Sequence, residues 1–104
     1  MAGVAVPGSG PIASVEFEVF GQVQGCYFTK YLKEQCEELS VSGWVKNTKK
    51  GTLYGIIQGA KANVEMMVIW LSNKGSPGSK IDRCELKNWA NLAKPEFKGF
   101  SIRF

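Results

Sequence analysis

The sequence predicts one α+β domain, with two helices packed on one face of an antiparallel-rich sheet. Three observations lead there: a length that holds one core, apolar residues whose spacing alternates between a period of two and one near 3.6, and the order of those segments. The chain has 104 residues, 44% hydrophobic and 21% charged, which is one ordinary domain. A domain of this size buries roughly 65% of its unfolded surface and needs no covalent staples.

Residues 1–13, MAGVAVPGSGPIA, are Gly/Ala/Pro-rich and aperiodic, which predicts a mobile N-terminal arm ahead of a folded domain over 14–104. In Ser14 to Phe20, Val15, Phe17 and Val19 alternate with polar neighbours, as in a half-buried strand. Phe28, Tyr31, Leu32, Cys36 and Leu39 then recur at helical spacing over about 27–39, with Lys30, Lys33, Glu34, Glu37 and Glu38 on the other side. Val41–Thr48 and Thr52–Gln58 read as two strands joined through Lys49-Lys50-Gly51, with Gly51 at the position that needs positive φ.

A second helix over about 61–74 rests on Val64, Met67, Val68 and Leu71, and Lys74-Gly75 ends it. Met66, Met67, Ile69 and Trp70 are read as core. Ser76-Pro77-Gly78 is a turn, Ile81–Leu86 a strand, and Phe100, Ile102 and Phe104 alternate in a last strand. The order β-α-β-β-α-β plus a C-terminal strand is the split βαβ, or ferredoxin-like, arrangement. That fold hosts unrelated functions, so the site must decide.

Composition excludes several of them. There is no histidine, so Ser-His and Cys-His nucleophile pairs, imidazole bases and His-bearing metal sites are ruled out. Cys26, Cys36 and Cys84 are odd in number and widely spaced, which fits neither a disulfide framework nor a zinc site; they read as small buried hydrophobes in a reducing compartment. The net charge of +4 suits an anionic ligand but is no nucleic-acid-binding charge run. No signal peptide, myristoylation signal or 18-residue apolar run appears, so a cytoplasmic protein outside the membrane is expected.

The most informative stretch is Phe20-Gly21-Gln22-Val23-Gln24-Gly25-Cys26-Tyr27-Phe28. Two glycines frame a short loop that runs into a helix N-terminus, where backbone N–H groups and the positive end of the helix dipole can cradle an anion. Such loops also occur for purely structural reasons, so this feature alone carries little weight.

Several motifs in one order carry more. Gly21-x-Val23-Gln24-Gly25-x-x-Phe28, Gly43-Trp44-Val45-Lys46-Asn47-Thr48, Lys50-Gly51-Thr52, Gln58-Gly59, Trp70-Leu71, Gly75-Ser76-Pro77, Ile81-Asp82-Arg83 and Phe100-Ser101-Ile102-Arg103-Phe104 together make the chain resemble the acylphosphatase family from about Val15 to Phe104. The resemblance implies the ferredoxin-like fold and hydrolysis of the mixed anhydride of acyl phosphates, with no metal and no cofactor. It implies that the backbone N–H groups of Gln22, Val23, Gln24, Gly25, Cys26, Tyr27 and Phe28 hold the phosphate, and that Asn47 positions the attacking water. It also implies a monomer whose partner is a small-molecule acyl phosphate or an inorganic anion such as phosphate or sulfate. An anhydride is already activated, so positioning and charge stabilisation can supply most of the catalysis.

One departure stands out. The family's phosphate-clamping arginine follows the loop's Phe, and here that position is Thr29. A hydroxyl replaces a charged five-donor fork. Losing one neutral oxyanion donor lowers a rate by roughly 10²–10³, and a charge-assisted bidentate pair is worth at least as much. A weak or inactive hydrolase is therefore expected. Lys33, one turn after Thr29 on the same helix face, is the nearest stand-in cation; an ordinary i,i+4 pair with Glu37 is the favoured reading. The main alternative is a module that binds phosphate or acyl phosphate without turnover. Nucleic-acid binding is not expected, because the strand from Lys50 to Ile57 offers only Tyr54 where RNA-stacking sheets need an aromatic pair; Trp44 and Trp89 are read as packing residues.

Overall fold

A computed structural model describes residues 11–25 and 27–103. The N-terminal arm therefore lies almost wholly outside the described residues, as do Cys26 and Phe104. Five strands and two helices follow in the order β1 (Ile12–Gln22), α1 (Phe28–Glu38), β2 (Ser42–Asn47), β3 (Leu53–Ala60), α2 (Lys61–Ile69), β4 (Lys80–Leu92) and β5 (Phe100–Arg103), with a π-helical turn over Trp70–Lys74 extending α2. The sheet order is β4-β1-β3-β2-β5. Every neighbouring pair is antiparallel except β2 with β5, which is parallel. This is the α+β ferredoxin-like arrangement.

Alternation along the strands separates two faces. Val15, Phe17 and Val19 of β1, Val45 of β2, Leu53 and Ile57 of β3 and Phe100 of β5 are buried. They pack with Phe28, Leu32 and Cys36 of α1, Val64 and Met67 of α2, and Trp70 and Leu71 of the π turn in one cluster. Each large apolar side chain buried this way contributes roughly 1.5–3 kcal/mol. Phe28 meets Trp70 edge-on, ring centroids 5.1 Å apart, which pins the start of α1 against the end of the second helical segment. Burial pushes the Cys36 thiol up to about 12, leaving it an inert core residue.

The other face is covered by polar and aromatic contacts. The Tyr54 hydroxyl donates to Glu16 at 2.5 Å, and this bond holds the Glu16 carboxyl below its ordinary range while it raises Tyr54 to about 12. Arg83 lies 3.8 Å over the Phe20 ring and Arg103 4.4 Å over Trp44, and Trp44 in turn meets Tyr54 at 5.9 Å. Guanidinium stems and aromatic rings thus shield each other from water without a further layer.

Several boundaries differ from the sequence expectation. β1 begins at Ile12, not Ser14: Ile12 and Ala13 carry no alternation of their own, but Ala60 of β3 and Leu92 of β4 flank them and supply ladder partners. β4 runs to Leu92, well past Leu86. Its second half, Lys87 to Asn91, is exposed, and its apolar residues, Trp89 and Ala90, are adjacent, so no alternating period marks it; a register shift opposite Ser14 and Glu16 and a left-handed Asn88 (φ 58°) keep it paired. Trp89 lies there at 50% exposure, and Met66 and Ile69 on α2 are 54% and 61% exposed. These three are not core. The segment from α2 through the π turn buries Val64, Met67, Trp70 and Leu71 in the core, with Val68 partly buried against it, and its other apolar residues are left outside. No helix among the described residues is long and apolar enough to cross a membrane.

Candidate functional site

The end of β1 delivers the loop to α1. Gly21 adopts φ +136°, and a Cβ there would lie 2.1 Å from the Lys80 carbonyl oxygen, so only glycine lets β1 pass β4 at this point. The register shifts between Phe20 and Gly21, and β1 stays paired with β4 through Gln22 opposite Lys80 before the loop begins. Gly21→Ala is expected to destabilise the fold by about 2–3 kcal/mol through backbone strain and overpacking. Urea unfolding checks it, and an unchanged midpoint would mean that β4 does not crowd Gly21.

Val23 is buried, whereas Gln24 and Gly25 are exposed. Tyr27 precedes α1 in a left-handed conformation (φ 57°, ψ 23°) and makes no side-chain cap. Its ring is 75% exposed, while its carbonyl accepts the Tyr31 N–H at 3.0 Å. The first turn of α1 holds no acidic residue. An uncapped N-terminus of this kind leaves donors and the positive end of the dipole for an external anion. Phe28 is buried and Thr29 half-buried in that turn. Cys26, which the resemblance places among the anion-binding amides, lies outside the described residues.

The second arm of the site is the β2–β3 hairpin. Asn47 is the last residue of β2, exposed and opposite Leu53. The turn closes by Thr48 N–H to the Thr52 carbonyl at 2.9 Å and Gly51 N–H to the Thr48 carbonyl at 3.1 Å. Gly51 has φ +88°, the positive value its place in the turn requires. The hydroxyls of Thr48 and Thr52 lie 2.6 Å apart. Thr52 donates its single hydroxyl proton to Glu18 at 2.6 Å, so the Thr48 hydroxyl is the donor between the two threonines. This bond holds the Glu18 carboxyl below its usual range, and the Lys50 ammonium reaches it at 3.3 Å.

The structure joins the two arms through a side chain that the sequence reading credits only with its backbone N–H. Gln24 Nε2 donates to the Thr48 carbonyl at 3.1 Å and to the Thr52 carbonyl at 2.9 Å. The loop is thereby held against the residue that follows Asn47. Glutamine in a Gly-framed loop carries no signal of such a contact, because its partners are carbonyls 24 and 28 residues away.

Lys33 is paired with Glu37 at 2.8 Å, the i,i+4 arrangement expected from the spacing. The chain's two arginines, Arg83 and Arg103, rest over rings on the far face of the sheet. Among the described residues, no group of three or more Cys, Asp or Glu side chains is gathered in a metal-ligating cluster.

Fold and site together define an α+β domain that presents a glycine-framed loop at a helix N-terminus beside an asparagine-tipped hairpin. The chain belongs to the acylphosphatase family, whose family model, Acylphosphatase, matches residues 15–102. Acylphosphatase-2 of Meleagris gallopavo is 48% identical over 96 residues, covering 92% of this chain and 93% of that protein. Acylphosphatase-2 of Homo sapiens is 46% identical over 93 residues, covering 89% and 94%. Among solved structures, an acylphosphatase from Bacillus subtilis superposes with a TM-score of 0.80 at 25% identity, covering 88% of this chain and 99% of that one. One from Coxiella burnetii superposes with a TM-score of 0.77 at 26% identity, covering 89% and 94%.

Proposed function

We propose that this chain is an acylphosphatase-type hydrolase that cleaves the carboxyl–phosphate anhydride of small-molecule acyl phosphates, with a rate lowered by Thr29. The observation that carries the reading is the uncapped start of α1, fed by the Gly21–Gly25 loop and tied to the Asn47 hairpin. In this reading the amides from Gln22 to Phe28 hold the phosphoryl oxygens. Asn47 orients a water toward phosphorus; the new P–O bond forms as the bond to the acyl oxygen breaks. The carboxylate leaves with the electron pair, and the water's protons pass to solvent and phosphate. A carboxylate is a stable leaving group, so no general acid is needed, and a chain without histidine can run the reaction as a monomer with no cofactor.

Thr29 also favours a second reading, a module that binds phosphate or acyl phosphate without turnover. Both readings require the anion cradle. Titration with inorganic phosphate or sulfate is expected to shift the amides of Val23, Gln24 and Gly25, with millimolar affinity or weaker, about −4 kcal/mol or less favourable. Shifts confined to other segments would remove the cradle. Hydrolysis of an aromatic acyl phosphate by the same sample then separates the two readings, since only the enzyme releases phosphate above the spontaneous rate.

A further inference from the structure

We propose that the Gln24 side chain is a positioning residue that couples occupancy of the anion loop to the placement of Asn47; the inference rests on the reading of that loop as an anion cradle. Both amide protons of Gln24 are used on one target. They go to the Thr48 and Thr52 carbonyls, the same two oxygens that accept the Gly51 and Thr48 N–H groups closing the hairpin turn. Each of these carbonyls thus accepts two donors, which uses both of its lone pairs. A displacement of Gln24 therefore pulls on the closing bonds of the turn, not on a free side chain.

Gln24 lies between Val23, buried in the core, and Gly25, which is exposed with φ +78° and has open space around it. The backbone is anchored in the core on one side of Gln24 and passes through an exposed, positive-φ glycine on the other. An anion that draws the loop amides inward would shift Gln24 and, through it, residues 48 and 52. Asn47 immediately precedes the first of these. On the opposite side the hairpin is held by the Thr52–Glu18 bond and by Lys50, so the turn pivots on a fixed point of β1. The loop that binds the phosphoryl group and the residue that orients water are thereby kept in one register.

The experiment is a phosphate titration followed by amide NMR on the whole chain and on Gln24→Met, which keeps length and loses both donors; Gln24→Glu, which loses donors and keeps polarity, is the second variant. In the parent chain the amides of Val23 and Gly25 and those of Thr48 and Gly51 are expected to move along one binding curve. In both variants the loop amides should still move, while the hairpin response falls to less than half. A purely structural role would change the resting positions of the hairpin signals and leave their response to phosphate intact. Hairpin shifts that follow phosphate equally in parent and variants, or that are absent in a parent whose loop responds, overturn the coupling alone. A loop that does not respond in the parent overturns the cradle reading, and the coupling with it.

Discussion

Thr29→Arg is expected to raise kcat/KM on an aromatic acyl phosphate by at least about 10², because it supplies a charged, forked donor that the proposed site lacks. The position sits in the first turn of α1, half-buried and without a side-chain cap at the helix start. Arginine has good helix propensity there, and its stem can lie along the surface. No other guanidinium competes for the role: Arg83 and Arg103 are held over Phe20 and Trp44 on the far side of the sheet. Lys33 does not occupy the space either, since its ammonium is taken by Glu37 at 2.8 Å. Steady-state kinetics on parent and variant, with circular dichroism as the folding control, measure the gain. A folded Thr29→Arg protein with flat activity would mean that the site has been lost at more than this residue.

Asn47→Ala is expected to abolish any turnover, most visibly when introduced into the Thr29→Arg chain, where the loss should be about 10²–10³. Its carboxamide is the neutral group proposed to orient the attacking water, and removing one such preorganised group has effects of that size. The side chain is exposed at the end of β2, opposite Leu53. Truncation therefore removes no core contact and leaves the backbone ladder in place. The opposing account is that Asn47 serves only as a strand-end residue entering a turn. It predicts a lower unfolding midpoint with kcat unchanged, so measuring both quantities on one protein distinguishes the two.

Glu18 illustrates how tertiary contacts set chemistry that composition leaves open. Glu18 reads in the sequence as one polar residue in an alternating strand. In the fold it accepts a hydrogen bond from Thr52 and an ion pair from Lys50, both from the hairpin that carries Asn47, so a strand carboxylate becomes a fixed support for that hairpin.

By itself, the sequence determined the α+β class, the two helices, the hairpin and the glycine-framed loop, because each rests on local physics. Val15, Phe17 and Val19 alternate; Phe28, Leu32 and Cys36 recur at helical spacing and are buried; Gly51 marks its own turn with φ +88°. The expected Thr-for-Arg departure at Thr29 comes instead from the resemblance to the acylphosphatase family, set against the identity of one residue. Tertiary structure alone decided where neighbours override local pattern. Ile12 joins β1 because β3 and β4 reach that far. Lys87 to Asn91 stay in β4 because β1 offers a ladder edge. Met66 and Ile69 lie exposed because α2 has more apolar residues than one sheet-facing stripe can bury. The Gln24 tie belongs to the same class: its partners are backbone carbonyls, which every residue owns, and only the folded chain selects Thr48 and Thr52 from among them.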